Sequence, residues 1–347
     1  IASANYVGYL LGALAASIRG LPGRRRTWLL AALAASAVTT GAMAMPSDMV
    51  PFLALRFVGG FASAFVLVFV SAIILDGLAR VRRPQISTLH FAGVGLGIAL
   101  SAVLVSSMAS QGYDWRAFWL ASGVISLAGA LLVARWVPGG LALEGDGHNS
   151  SHAKMGRELV TLIAAYGLFG FGYVITATFL VAIVRSTPEV QALEPIIWLF
   201  VGLAGAPSIV VWMWVGGKIG FSRAFALACL VEAVGVGLSV YSSTASGIIL
   251  SAVFLGGTFM GITAIGLIEA RRLSGGDPRP VLALMTASFG LGQIIGPIFA
   301  GVTFDRTGSF AMPSMAAALA LTIAAAMTVR PPVAGHGDEP KGSDTNS

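Results

Sequence analysis

Residues 50–75 read VPFLALRFVGGFASAFVLVFVSAIIL and carry a single charge, Arg56. At 1.5 Å of rise per residue, a helix of that length reaches about 39 Å, more than the roughly 30 Å of hydrocarbon in a bilayer. A helix that is apolar on every side belongs inside a large core or inside lipid. Ten more stretches of this kind fill most of the chain: Ala2–Ile18, Trp28–Met45, Ile86–Met108, Ala117–Val137, Leu159–Val184, Ile196–Val215, Ala224–Ser242, Ile248–Ile268, Val281–Phe304 and Ala311–Val329. Backbone in lipid must satisfy its own hydrogen bonds, so each stretch reads as a helix. The fold class is therefore an all-α polytopic membrane protein, with eleven transmembrane helices in this chain.

Composition agrees. The 347 residues are 56% hydrophobic and 10% charged, where a soluble domain carries about 25% charged residues. The 44 glycines suit helices that approach closely in lipid. Cys229 is the only cysteine, which excludes an internal disulfide and argues against a cysteine-based metal site. The net charge of +6 reads as cations gathered on one side of a membrane rather than a nucleic-acid surface. No phosphate-binding loop is present to drive an ATP pump, and no cofactor or metal is expected. His148, His152 and His336 fall in a linker and a tail. The sequence opens at Ile1 directly into an apolar stretch, with no charged leader or cleavage site, so no signal peptide is read. It reads as a chain entered midway.

Loop charge sets the orientation. One set of alternate loops holds seventeen of the 21 Lys and Arg, among them Arg19, Arg24, Arg25, Arg26, Lys218, Arg223, Arg271 and Arg272; the other set holds only Arg116, Arg185 and Arg306. The positive-inside rule places the first set in the cytoplasm, together with the C-terminus.

The polar stretch 138–158 divides the chain into an N-terminal bundle of five helices (1–137) and a C-terminal bundle of six (159–329), followed by a polar tail (330–347) expected to be disordered. The halves echo each other. Gly93, Gly97, Ser101 and Ala102 recur as Gly292, Gly296, Ala300 and Gly301 at one constant offset, and Gly59-Gly60 recurs as Gly256-Gly257. Parallel six-helix repeats are one plan for secondary transporters. Five helices set against six lead us to expect one more helix ahead of residue 1.

Three runs resemble the major facilitator superfamily: Leu53-Ala-Leu-Arg56-Phe-Val-Gly-Gly60, Trp115-Arg116-Ala-Phe118, and Gly292-Gln-Ile-Ile-Gly296-Pro297-Ile-Phe-Ala300-Gly301. Within it, Ala4-Asn5-Tyr6-Val-Gly8-Tyr9-Leu-Leu-Gly12-Ala13 and Tyr166-Gly-Leu-Phe-Gly170-Phe-Gly172-Tyr173 are similar to the YbfB/YjiJ-like branch. The resemblance implies twelve helices in two bundles with alternating access between them. Two departures stand out. The loop through Arg19 and Arg24–Arg26 lacks the family's Asp, and Ile98 replaces a motif Pro.

Several residues carry candidate roles. Arg56 lies about two turns inside its helix; it cannot shed its charge, so it anchors a substrate anion or a coupling carboxylate, or else snorkels to headgroups. Glu232 is the only acid well inside a stretch and is a coupling candidate, as is His90; a structural, hydrogen-bonded acid is the alternative for Glu232. Tyr166, Tyr173, Thr176 and Thr178 lie on a helix that lines the cavity in the family. Gln293 either serves a carbonyl freed near Pro297 or faces that cavity. Asn5, Gly8 and Gly12 read as a packing stripe. A cytoplasmic gate is read from Asp76 with Arg19 and Arg24, and from Glu269 with Lys218 and Arg223. Gly93, Gly97, Gly292, Gly296 and Pro297 form the packing motif. Together these lead us to expect a secondary active transporter of a small solute; the resemblance implies that it is coupled to protons and monomeric in membrane lipid of the bacterial inner membrane. The rival readings are a non-transporting sensor or scaffold on the same fold and a polytopic membrane enzyme.

Overall fold

The computed structural model describes residues 1–18, 21, 23–45, 48–80, 90–137, 155–274 and 279–329. Eleven α-helices run through them: α1 (Ala2–Ala16), α2 (Arg25–Ala42), α3 (Met49–Arg80), α4 (Ala92–Ser110), α5 (Trp115–Trp136), α6 (Arg157–Arg185), α7 (Ile197–Ile219), α8 (Phe221–Tyr241), α9 (Ala245–Leu273), α10 (Arg279–Thr307) and α11 (Ala311–Thr328). Nine, α3 to α11, are long and apolar enough to cross a membrane. Of the others, α1 has 15 residues and α2 opens on Arg25 and Arg26. The reading of an all-α polytopic membrane protein holds.

Local chemistry sets the helix ends. Asp114 caps α5 by accepting from the Ala117 amide at 3.0 Å, and Thr244 caps α9 by accepting from Gly247 at 3.2 Å. At its other end α5 is held by Arg26, whose Nε and Nη2 donate to the carbonyls of Val137 and Ala134 at 2.8 and 2.6 Å. A cation there also suits the helix dipole. Gly220 alone joins α7 to α8; its φ of +87° is open to glycine at no steric cost.

Small residues bring the helices together. A Cβ on Gly60 would lie 2.0 Å from the Asn5 carbonyl, and one on Gly8 2.0 Å from that of Phe57, so α1 and α3 touch backbone to backbone. In the other half Gly256 of α9 meets the Val201 carbonyl of α7 in the same way, at 2.1 Å. Gly59-Gly60 and Gly256-Gly257 thus each mark a helix contact, but at different members of the pair: Gly60 and Gly256 meet backbone, while Gly257 has nothing within 4 Å of a built Cβ. Leu29, Phe65 and Phe69 form a small core in the first half. Phe169, Phe225, Met285 and Leu321 belong to a larger one in the second.

Two seams join the halves. Ser3 Oγ of α1 donates to the Ile294 carbonyl of α10 at 3.1 Å, and Leu10 packs on Gly290. Between α4 and α7, a Cβ on Gly95 would lie 2.2 Å from the Ala206 nitrogen, and one on Gly202 2.3 Å from the Ala99 nitrogen.

One expected repeat does not appear. Gly292 and Gly296 of α10 press against the backbone of α6 at Gly167 and Phe171. Their counterparts Gly93 and Gly97 have nothing within 4 Å of a built Cβ. Neighbouring Leu100, Val124 and Leu131 on α4 and α5 are exposed. No described helix packs on that face.

Candidate functional site

The polar groups that converge between the halves come from α1, α3, α6 and α10. Arg56 sits two turns into α3, about 10 Å along the helix. It is half-buried, and its Nε is buried without a hydrogen-bond partner. The charged or titratable group acting on it is the phenol of Tyr6 on α1. Tyr6 in turn approaches the Thr178 hydroxyl of α6, which has no aligned hydrogen bond of its own. Parallel packing of α1 on α3 puts Tyr6 beside Arg56, and the seam with the second half puts Tyr6 beside α6.

Next along α6 is Tyr173. Its hydroxyl accepts from the Gln293 amide of α10. Gln293 Oε1 is buried and unpartnered. Aromatic rings surround the phenol: Phe289 lies nearly parallel at 5.6 Å and Phe259 at 6.2 Å, with Phe169 at 5.2 Å. Arg56, Tyr6, Thr178, Tyr173 and Gln293 thus make a polar lining one face of which is aromatic. Tyr6 was not among the candidates drawn from the sequence. Its signal was its place three residues from Tyr9 on one face of α1.

Glu232 stands apart. It is fully buried on α8, and neither carboxylate oxygen has a hydrogen-bond partner. It approaches the Thr258 hydroxyl of α9, which itself donates to the Phe254 carbonyl at 2.6 Å. Cys229 on its own helix and Tyr173 across the bundle are the titratable groups that feel its charge.

Other expectations need correction. Tyr166 lines no cavity here: its ring packs against Phe169, Phe225 and Phe289, and its hydroxyl donates to the Thr263 carbonyl at 3.3 Å. Thr176 is fully buried, and its hydroxyl has no hydrogen-bond partner. Gln293 serves Tyr173 rather than a carbonyl near Pro297. Glu269 pairs with neither Lys218 nor Arg223. Arg272, one turn on along the same helix, reaches it at 2.7 and 2.8 Å, and Ser222 donates to it at 2.6 Å. Lys218 instead lies over the Trp214 ring at 5.6 Å. His90 shares a hydrogen bond of 3.0 Å with Ser71 of α3. The Arg19 and Asp76 side chains lie outside the described residues, so that half of the gate has no described geometry. Two clefts, of about 230 and 170 Å³, lie elsewhere, one along α4 and α7 and one between α6 and α8. Neither includes the convergent polar groups.

Long apolar helices meeting at glycine seams around convergent polar groups define a polytopic membrane protein. The chain belongs to the family described as "uncharacterised MFS-type transporter YbfB", whose profile matches residues 1–329. No curated protein matches it in sequence. Among solved structures it is similar to a mutant form of the nucleoside transporter NupG, with a TM-score of 0.65, 15% identity and coverage of 94% of this chain and 88% of that one. It is also similar to the human organic anion transporter MFSD10 (TETRAN), with a TM-score of 0.64, 16% identity and coverage of 94% and 82%. At such identities the likeness is one of fold.

Proposed function

We propose that this transporter moves a small solute by alternating access, with residues 1–137 and 159–329 rocking as two units about the polar centre. The observation that carries this reading is the convergence of Tyr6 and Arg56 from one half with Tyr173, Thr178 and Gln293 from the other. A site shared between two units is exposed to one side or the other as they rock. At the seams Ser3 and Leu10 of α1 meet Ile294 and Gly290 near the middle of α10, and Gly202 and Ala206 of α7 meet Ala99 and Gly95 of α4. The C-terminus is read as cytoplasmic and the protein as monomeric in a bacterial inner membrane.

Protons are the proposed coupling ion, with Glu232 as carrier. A carboxyl stable while buried only in its neutral form, and charged when water reaches it, can take up and release one proton per cycle. Thr258, Cys229 and Tyr173 are the groups around it. The test is uptake into proteoliposomes of the full-length protein under imposed gradients. Accumulation should follow the proton gradient and vanish with protonophore. Uptake indifferent to both proton and sodium gradients would remove the coupling.

A further inference from the structure

We infer that the transported solute is an organic anion, its acidic group held by Arg56 and an apolar or aromatic portion lying on the Tyr173 wall. This rests on the transporter reading above and names its substrate class.

Arg56 carries a charge that no described acid balances. Arg56 keeps its proton at any working pH, and a cation at this depth needs a partner. The described acids are committed or distant. Glu194 pairs with Arg185, Glu269 with Arg272, and Asp114 caps α5. Glu232 acts on Tyr173 and Cys229 but is not among the groups acting on Arg56. Among the described residues, the group acting on the guanidinium is the neutral Tyr6 phenol, with the Thr178 hydroxyl beyond it.

Those neighbours are suited to a second task. Thr178 Oγ1 is buried without an aligned hydrogen-bond partner and lies within reach of the Tyr6 hydroxyl. Tyr173 accepts from Gln293, which leaves its own hydrogen free to donate. One fixed positive charge among hydroxyl donors matches a carboxylate, sulfonate or phosphate monoester, and a guanidinium fork binds such groups with two parallel bonds. Among the described residues, a cationic solute would meet Arg56 with no carboxylate acting on it. The stacked rings of Tyr173, Phe289 and Phe259 supply the apolar surface for the rest of the molecule.

The experiment uses the full-length protein in proteoliposomes. Aliphatic and aromatic carboxylates, sulfonates and phosphate monoesters are offered beside their neutral amides and their amines, 4-phenylbutyrate, 4-phenylbutanamide and 4-phenylbutylamine being one such set. Uptake is read by mass spectrometry. The expected result is uptake confined to anions, cut about 30-fold or more by Arg56→Gln and partly kept by Arg56→Lys, which guards against a folding defect. Preferred uptake of amides or amines, or anion uptake insensitive to Arg56→Gln, overturns the anion assignment while leaving transport intact. Movement of no solute in any charge class would instead count against the transporter reading, and the inference would fall with it.

Discussion

Gly202→Ala should loosen the α4–α7 seam without unfolding either half. The new methyl would sit 2.3 Å from the Ala99 nitrogen and 2.7 Å from the Gly95 carbonyl oxygen. Ordinary contact is near 3.5 Å, so the helices must part by about 1 Å. Overpacking of this kind costs about 1–3 kcal/mol, or roughly 5- to 150-fold in an equilibrium constant. Because α4 and α7 belong to different halves, that cost falls on the closed arrangement and is relieved when the seam opens. Labelling reads it out. Ala102 is buried on the α4 side of the seam, and the native Cys229 is fully buried, so an Ala102→Cys protein has a quiet background. Membrane-impermeant maleimide should label Cys at 102 faster in the Gly202→Ala background, by a factor within that range. Gly237→Ala is the control, since nothing lies within 4 Å of its built Cβ. An unchanged labelling rate in a well-folded Gly202→Ala protein would refute the idea that this contact holds the closed state.

Glu232→Gln should leave the protein folded but make uptake independent of an imposed pH gradient; uptake that still tracks the gradient excludes Glu232 as carrier. Tyr173→Phe strips the Gln293 amide of its acceptor, at a cost of about 1–3 kcal/mol, and should raise KM more than it lowers the maximal rate. Equal kinetics would place that pair outside the solute path. Gly256→Val acts inside one half, where its Cβ meets the Val201 carbonyl at 2.1 Å; detergent-solubilised protein should lose thermal stability in every conformation, and a wild-type melting profile would contradict the packing. Arg26→Gln removes two bonds to the end of α5, and hydrogen exchange at Ala134–Val137 should quicken.

The spans were legible because lipid leaves so few options: a stretch such as 50–75 admits one reading. Glycine spacing likewise foretold close packing at Gly60 and Gly256. The site was legible only in part. Arg56 announces itself as a charge in an apolar run, but its neighbour Tyr6 is placed by the packing of α1 on α3 and α10, which no local pattern encodes. Tyr166 and Tyr173 are seven residues apart and share a face, yet one is sealed in a bundle and the other reaches its edge. The difference arises from what packs on α6 at each level, Phe225 and the Thr263 carbonyl at Tyr166 and Gln293 at Tyr173, not from residue type. Glu269 was matched across the loop to Lys218 and Arg223, whereas Arg272 was already within reach one turn away. Local pairs win when the alternative must fix two long side chains from separate elements.

Gly220 links two of these themes. It is the whole connection between α7, which carries one wall of the seam, and α8, which carries Glu232. A one-residue joint has no slack, so a displacement of α7 pulls on the base of α8 instead of being absorbed in a loop. Lengthening the joint with inserted glycines would let the seam open while the acid stays still. A carrier so altered would slip, passing solute without drawing on the ion gradient.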